Sequence, residues 1–374
     1  MLRYLTAGES HGKGMVAILE GIPAGLRVFE EKINLELGRR KWGYGRGKRM
    51  EIEEDKVEIL SGVRKGITLG SPISLLIQNK DYRIEELPSL VCPRPGHADL
   101  VGALKYNTRD IRNVLERASA RETVARVTVG AVCKLLLWEF KIEIISHVIQ
   151  IGKIKIENKD LGFEKIKNLA EKSPLRCIDK SAERKMLAEI DKAREKKDTL
   201  GGVFEVIVKG VPPGLGSFMQ YDLRLDGRLA QAIMAIPSVK AVEIGEGLIN
   251  SGLLGSQVHD RIYYEKKRGF YRKTNHAGGL EGGITNGEPI IIRGYMKPIS
   301  TLMIPLDSVN VVTKEAEKAA VERSDICVVP AGGVIGEAVS AFEIARCLRE
   351  KLGGDSLSEM KRNYQAYMHI LKNF

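Results

Sequence analysis

The chain has 374 residues, of which 43% are hydrophobic, so it can build a sizeable core and global disorder is excluded. Its formal net charge of +11 favours an anionic partner: a nucleic acid, an anionic membrane, or a phosphorylated or carboxylated metabolite. Aromatic residues are only 6%, which argues against a stacking surface for single-stranded nucleic acid. Five scattered cysteines without CxxC spacing, and no apolar stretch near the ~18 residues of a membrane span, predict a reduced cytoplasmic protein without a disulfide framework or zinc site.

The predicted elements do not alternate regularly between strand and helix, as they would in a doubly wound sheet. Short strands separated by glycine-rich turns are predicted in residues 57–63, 67–77, 203–216 and 288–296. Helices are predicted in residues 30–42, 120–140, 181–198, 313–325 and 336–354. The 120–140 helix is largely apolar and is expected to be buried, whereas 181–198 carries charges on most faces and is expected to face solvent.

One octapeptide occurs twice with small changes. Residues 66–73 read GITLGSPI and residues 283–290 read GITNGEPI, so six of eight positions match. A similar separation lies between the two apolar helices, and we infer a duplicated β-rich unit whose long helices pack against each other under two sheets. Residues 1–374 are therefore expected to form a single α+β domain, in which segment 151–200 is a peripheral insertion.

Three glycine-rich or proline-rich motifs in the first hundred residues hold histidine or arginine side chains. TAGESHGKG (6–14) lets the backbone approach a ligand with His11 as proton donor, or it is a turn with a surface histidine. In CPRPGHADL (92–100), two prolines stiffen a loop that holds His97. GRRKWGYGRGKRM (38–50) suits a phosphate clamp, although an RNA-binding loop and a solvated basic loop both stay open.

Two later motifs join charge to predicted helix ends. Residues 109–127 place five arginines where a helix begins, which suits an anion, although Ser119 and Glu122 would also form a capping box there. In ERSDICVVPAGGVIGEA (322–338), Asp325 lies at a helix end and either caps it or takes part in chemistry. The glycines of the same motif predict a loop that approaches a ligand closely.

Residues 276–287 (HAGGLEGGITNG) contain five glycines, which indicates a bare backbone wall beside a histidine. The chain has no P-loop lysine motif, no GxGxxG at the end of a strand, no HExxH and no GxSxG elbow. The conventional NTPase, Rossmann dehydrogenase, zinc hydrolase and serine hydrolase classes are therefore disfavoured. What remains is a glycine-lined cavity for a flat or bulky anionic ligand and a small anionic substrate, with proton transfer between them.

The chain closely resembles the chorismate synthase family in eight motifs, which occur in order from residue 6 to about residue 345. They are GESHG, GRRKWGYGRGKRM, PRPGHAD, ERASARET, VEIGEG, HAGGLEGGITNGEP, MKPIST and RSDICVVPAGGVIGEA. The resemblance implies a lyase of the shikimate pathway that converts 5-enolpyruvylshikimate 3-phosphate to chorismate and phosphate by anti-1,4-elimination. It also implies a β-α-β sandwich, with helices between two antiparallel sheets, and a homotetramer.

The resemblance further implies reduced FMN as cofactor, although the reaction has no net redox change. In this family the flavin is thought to lend electron density to the substrate and to receive it back. NADPH is a candidate reductant, because some relatives reduce their own flavin with it. The expected partner is a phosphorylated small molecule; no metal, nucleic acid or membrane is implied.

Three residues resemble the family's catalytic groups. His11 is similar to the acid that protonates the departing phosphate, and His97 to the histidine that keeps reduced flavin in the right protonation state. Asp325 is similar to the carboxylate beside flavin N5 that helps to take the substrate proton. The other family-like positions contact the cofactor or line the substrate side: Arg40, Arg46, Arg117, Ala118, Ser119, Pro237, Ser238, Gly282, Lys297, Pro298, Ile299, Ser300, Thr301 and Arg323.

Two of these positions carry particular expectations. Gly282 would belong to a backbone wall that lies flat against the flavin, where any Cβ would collide. Pro237 and Ser238 depart from the family, whose members often have Asn-Ala there.

Two other function classes stay open. Another FMN-dependent enzyme, such as a flavin reductase, would oxidise NADPH with FMN alone. A basic RNA-binding protein would bind RNA with steep salt dependence and would have no affinity for flavin.

Overall fold

The computed structural model describes residues 1–47, 52–157, 161–322 and 324–374. The basic segment predicted at 38–50 is therefore described as far as residue 47, and Arg323 lies outside the described residues. No helix in the described part of the chain has the length and apolar character to cross a bilayer.

The first half of the chain holds eight strands and four α-helices among the described residues. In chain order they are β1 (Arg3–Ala7), β2 (Gly14–Glu20), α1 (Glu30–Lys41), β3 (Val57–Ile59), β4 (Val63–Arg64), β5 (Ile67–Thr68), β6 (Ile73–Gln78), α2 (Asp99–Tyr106), α3 (Arg112–Ala118), α4 (Thr123–Trp138), β7 (Glu143–Ile151) and β8 (Ile154–Lys155). A short 3₁₀ turn at Ala120–Glu122 leads into α4.

The described part of the second half holds the remaining elements. They are α5 (Phe163–Lys172), α6 (Lys180–Glu195), β9 (Gly202–Lys209), α7 (Leu225–Met234), β10 (Val239–Ile244), α8 (Gly247–Asn250), α9 (Gly255–Val258), β11 (Ile262–Glu265), β12 (Gly269–Arg272), β13 (Leu280–Glu281), β14 (Ile284–Thr285), β15 (Ile290–Met296), β16 (Asp307–Val309), β17 (Ala316–Lys318), α10 (Val329–Leu352) and α11 (Leu357–Asn373).

Two antiparallel sheets and two long helices form most of the core. The first sheet has the strand order β1-β2-β6-β3, and the second has the order β10-β15-β9-β7-β8. Helix α4 contacts β2 and β6 of the first sheet, helix α10 contacts β7, β9 and β15 of the second, and the two helices pack against each other. This mixture of helices and antiparallel sheets agrees with the predicted α+β class.

Glycines allow the two long helices to lie close together and close to the second sheet. A Cβ added at Gly130 of α4 would lie 2.4 Å from Cα of Ala338 in α10. On the sheet side, Gly332 and Gly336 of α10 make room for the buried ring of Phe204. The glycines predicted to form a ligand-approaching loop in 322–338 therefore lie within a helix, where they permit close packing.

The two similar octapeptides occupy similar places. Each begins in a two-residue hairpin, β4–β5 or β13–β14, and ends at a long strand, β6 or β15. Thr68 and Thr285 are both buried, and each hydroxyl donates to a proline carbonyl, that of Pro23 at 2.6 Å and that of Pro212 at 2.7 Å. Each hydroxyl also accepts a backbone N–H from the turn that follows that proline.

Several predicted elements differ from those observed. The helix predicted at 313–325 is not formed, because residues 316–318 pair with β16 as strand β17. The last long helix begins at Val329 rather than at 336, with Pro330 in its first turn, where a missing N–H costs nothing. Helix α6 is amphipathic rather than exposed, since side chains such as Met186 lie in the core.

Segment 151–200 contributes to the main hydrophobic core. Ile166 of α5 and Ile190 of α6 are buried members of the same cluster as the central helices. Its assignment as a peripheral insertion, like the single-domain organisation, stays a prediction.

We expect Gly130→Ala to lower the free energy of unfolding by about 1–3 kcal/mol, because the added methyl group would force α4 away from α10. Urea unfolding followed by circular dichroism measures this loss. Gly38→Ala is the matched control, since Gly38 lies inside α1 with no neighbouring atom within 4 Å of the added Cβ. Helix propensity predicts that this variant gains up to about 1 kcal/mol. Equal stability of the two variants would contradict the packing argument.

Candidate functional site

A cavity of about 590 Å³ lies where loops from both halves of the chain meet the ends of the long helices. Its volume is in the range of small-molecule sites. Thr123 at the start of α4 borders it, as do Ala331 and Gly332 in the first turn of α10. Because helix N-termini present free N–H groups and a positive dipole end, both helices favour an anionic ligand here.

The cavity brings together most of the residues that the sequence singles out. Those that line it are His11, Arg40, Arg46, His97, Ala118, Ser119, Pro237, Ser238, Lys297, Ile299, Ser300, Thr301 and Asp325. They come from seven separate stretches of the chain, so the motifs meet through the fold and not through local sequence.

His11 lies in the loop between β1 and β2 and is held by a buried glutamate. Its Nδ1 is 2.9 Å from Oε1 of Glu116, and its backbone N–H donates to Oε2 of Glu116 at 2.7 Å. Burial disfavours the charged form of Glu116, but hydrogen bonds from the His11 ring and backbone hold the pKa of this carboxyl below its usual value. The other ring nitrogen, Nε2, is 3.9 Å from Oδ2 of Asp81, which lines the cavity.

His97 has a similar arrangement at the start of α2. Its Nδ1 is 2.5 Å from Oδ1 of Asp99, a fully buried carboxylate that also binds the guanidinium of Arg94. Burial alone would raise the pKa of Asp99, but the hydrogen bonds from His97 and Arg94 hold it well below its usual value. Arg94 also donates to the hydroxyl of Thr301 at 2.8 Å, so it connects His97 to the 297–301 loop.

Two buried arginines share one carboxylate behind the cavity wall. Asp55 accepts from Arg40 at 2.9 Å and from Arg121 at 2.5 Å, and both guanidiniums line the cavity. Burial, the largest influence, lowers the pKa of Arg40 despite this partner. Nε of Arg40 is buried and has no hydrogen-bond partner among the described residues.

Asp325 ties the basic segment to the start of α10. Its Oδ2 is 3.1 Å from the guanidinium of Arg46, and its Oδ1 accepts the backbone N–H of Gly47 at 2.5 Å. The carboxylate that the family resemblance assigns to proton removal is thus paired with an arginine of the predicted anion clamp.

The Pro237–Ser238 pair forms a tight turn next to the 297–301 loop. The turn is closed by the N–H of Val239, which donates to the carbonyl of Ile236, and Ser238 has a positive φ of 71°. The N–H of Lys297 donates to the carbonyl of Ser238 at 2.9 Å, so turn and loop are joined. Pro at the second turn position and a positive φ at the third are typical of a type II turn.

Two lysines give this wall a positive charge. Burial and then the nearby charge of Lys240 lower the pKa of Lys297. Both side chains border the cavity. An anionic group placed between them would offset this repulsion.

Three predicted cofactor contacts do not line this cavity, and their role stays a prediction. Arg117 is exposed, and its guanidinium donates to the carbonyls of Thr6 and Gly8, so it fastens the His11 loop from outside. Gly282 is the exposed turn of the β13–β14 hairpin, which requires its φ of +59°, and a Cβ there would meet no atom within 4 Å. Pro298 borders a neighbouring cavity of about 430 Å³. Arg323 lies outside the described residues.

Several lining residues were missed by sequence reasoning. Arg94 and Arg121 line the cavity and lie inside motifs already named. Each is a charged residue three or four positions from a predicted site residue, and this spacing could have identified them. Nothing in the sequence near Asp81 and Arg83 identifies them as site residues. Their segment, 79–86, reaches the cavity through backbone hydrogen bonds to the carbonyl of His11.

The residues present fit a planar anionic cofactor such as FMN. Ile236, Ile299 and Ile335 provide apolar surface within the cavity, while Lys297 offers a donor for an anionic tail. Apolar walls with a few converging polar groups are the usual composition of such sites.

The chain is similar to known proteins over its whole length. The family model described as chorismate synthase matches residues 2–348. A chorismate synthase from Carboxydothermus hydrogenoformans is 54% identical, and one from Alkaliphilus oremlandii is 52% identical; each alignment covers 100% of both chains. A solved structure described as a crystal structure of chorismate synthase superposes with a TM-score of 0.84 at 47% identity, covering 100% of this chain and 99% of that one.

We expect Asp55→Asn to cost about 3–5 kcal/mol of unfolding free energy, because it leaves Arg40 and Arg121 buried without their shared anion. Chemical denaturation measures the change. The control is Asp307→Asn: its partner Lys318 is on the surface, so we expect an unchanged midpoint. Were the two substitutions equivalent, Asp55 would not be neutralising the arginines.

Proposed function

The chain belongs to the chorismate synthase family, and we propose that it converts 5-enolpyruvylshikimate 3-phosphate to chorismate and phosphate as an enzyme of the shikimate pathway. The observation that carries the proposal is that His11, His97 and Asp325, three family-like catalytic positions far apart in sequence, line one cavity with Arg40 and Arg46. Proton donors beside guanidinium groups suit the departure of a phosphate group.

His11 is proposed to protonate the phosphate as its carbon–oxygen bond breaks. Its Nε2 is the ring nitrogen left available once Nδ1 is held by Glu116. Arg40 and Arg46 would stabilise the charge that develops on the leaving oxygens, and burial makes such stabilisation effective because competing water is excluded.

Asp325 is proposed to accept the proton lost at the other end of the eliminated system. To act as a base, its carboxylate must first be released from Arg46 and Gly47. A phosphorylated substrate offers Arg46 an alternative anion, so substrate binding and activation of Asp325 are expected to occur together.

Reduced FMN is the proposed cofactor, and when bound it would supply electron density to the substrate with no net redox change. His97 would control protonation near it, and Asp99 would keep the His97 ring in one orientation. Ala118, Ser119, Pro237, Ser238 and the 297–301 loop would hold it, whereas Arg117 and Gly282 act from outside this cavity.

The proposed activity is tested by anaerobic formation of chorismate from the phosphorylated substrate with reduced FMN. We expect His11→Ala, His97→Ala and Asp325→Ala each to lose at least about 10²–10⁴-fold in rate while still folding. His369→Ala, at an exposed position of α11, is the control and should keep full activity. Normal turnover in any of the three cavity variants would refute the role of that residue.

We also expect Lys297→Met to weaken FMN binding about tenfold or more, because a charged hydrogen bond contributes roughly 1.5–3 kcal/mol. Flavin fluorescence quenching measures the dissociation constant. Arg117→Met removes a cation of similar length outside the cavity and should change the constant by less than about twofold. A larger effect of Arg117→Met would restore Arg117 as a cofactor contact.

A flavin reductase is the second candidate, and NADPH as reductant is part of the same question. It is tested by NADPH oxidation in air with FMN alone, which a chorismate synthase without reductase activity would not show. An RNA-binding function is disfavoured, because Arg40, Arg94 and Arg121 are buried and paired with carboxylates instead of projecting from the surface.

We infer further that the fold is a β-α-β sandwich built from two copies of one unit. Strand orders β1-β2-β6-β3 and β7-β9-β15-β10 correspond along the chain, and the paired threonine contacts of the two octapeptides support this. A cytoplasmic homotetramer is proposed from the family resemblance alone, and sedimentation equilibrium tests its mass.

A further inference from the structure

We propose that Glu116 is the positioning residue of the acid His11: it orients the ring so that Nδ1–H faces the protein and Nε2 faces the cavity. The inference deepens the proposed function and rests on it for the role of His11. Glu116 itself does not line the cavity, so it acts only through the histidine.

The contact is built from hydrogen bonds between α3 and the β1–β2 loop. The N–H of Ser10 donates to the carbonyl of Glu116 at 2.9 Å, and the N–H of His11 donates to Oε2 at 2.7 Å. Nδ1 of the His11 ring is 2.9 Å from Oε1 and 3.1 Å from Oε2 of Glu116. One residue therefore fixes both the backbone and the ring of His11.

These contacts decide the tautomer of the ring. The backbone N–H can only donate, so the carboxylate accepts it, and an ionised carboxylate has only lone pairs to offer to Nδ1. Nδ1 must then carry a hydrogen, and Nε2 is left to exchange a proton with a ligand. The side chain of Glu116 is 1% exposed, so water does not compete for these bonds.

Charged side chains from two elements lie near the ring of His11. Asp81 from the 79–86 segment lies 3.9 Å from Nε2 and is paired with Arg83. Arg112 of α3 lies 3.7 Å from Glu116, but it also binds Glu322 at 3.0 Å. Glu116 and Asp81 are thus the carboxylates that contact the two ring nitrogens, and each also has an arginine partner.

The test uses Glu116→Gln, which keeps the size of the side chain and removes its charge. We expect kcat to fall at least about 10²-fold, with KM and FMN affinity within about threefold, because the acid is disturbed and the binding surface is not. The alkaline limb of the pH–rate profile should move to lower pH, because the carboxylate beside Nδ1 loses its charge. A purely structural role would lower stability without moving this limb.

Two further variants complete the design. Glu116→Asp keeps the charge on a shorter stem and should recover part of kcat and the position of the limb, which separates charge from folding. Glu122→Gln is the matched control, since Glu122 pairs with Arg126 and does not line the cavity, so it should leave the profile unchanged. An unaltered kcat and pH profile in Glu116→Gln would overturn the proposal.

A readout without turnover separates this inference from the proposed function. In protein labelled with ¹⁵N-histidine, the His11 signals, assigned by their loss in His11→Ala, should show hydrogen on Nδ1 in the neutral form. In Glu116→Gln this preference should be lost. If the wild-type protein is inactive but its neutral His11 ring carries hydrogen on Nδ1, only the proposed activity is rejected. If the wild-type ring carries hydrogen on Nε2 instead, the role of Glu116 is rejected.

Discussion

The close contact between α4 and α10 at Gly130 and Ala338 is the constraint on which the site depends. Each helix packs on a different sheet, so their contact joins the two halves of the chain. The same helices begin at the cavity, and their separation sets the distance between Thr123 on one side and Gly332 on the other. A methyl group in the contact would therefore alter the ligand site as well as the core, because close-packed interiors transmit small displacements.

Several arginine and lysine side chains of this chain pair with buried carboxylates inside the molecule. Glu337 of α10 is fully buried and binds Arg39 of α1 at 2.7 Å and Lys134 of α4 at 2.5 Å. Burial opposes ionisation of Glu337, but the charges of Arg39, Lys134 and Arg176 hold its pKa well below the usual value. This buried carboxylate therefore joins α1, α4 and α10 through the cations that it binds.

The sequence predicted most of the long elements and the composition of the site. Apolar periodicity located α4, and glycine spacing located the end of α10, because both signals are local. The prediction of a helix at 313–325 was wrong, because residues 316–318 pair with β16 and this tertiary contact overrides helix propensity. Arg117 lies outside the cavity for a related reason: a motif names a residue, but only the fold decides whether its side chain faces the cavity or the back of the loop.

Glu116 is a residue whose contact with the site the sequence did not indicate. It lies in the ERASARET motif, one residue before Arg117, yet the spacing contains no sign that it reaches His11, 105 residues earlier. Contacts across such distances follow from how α3 docks on the β1–β2 loop, and one sequence carries no pattern for them.

The pairing of Arg46 with Asp325 has a consequence for selectivity. A cation already neutralised by an internal carboxylate does not attract every passing anion, because an incoming group must displace Asp325 before it gains anything. A weakly bound monoanion does not displace Asp325 from Arg46. A multiply charged ligand that also binds other guanidiniums does displace it. The Arg46–Asp325 pair therefore sets a minimum negative charge that a ligand must carry to bind stably.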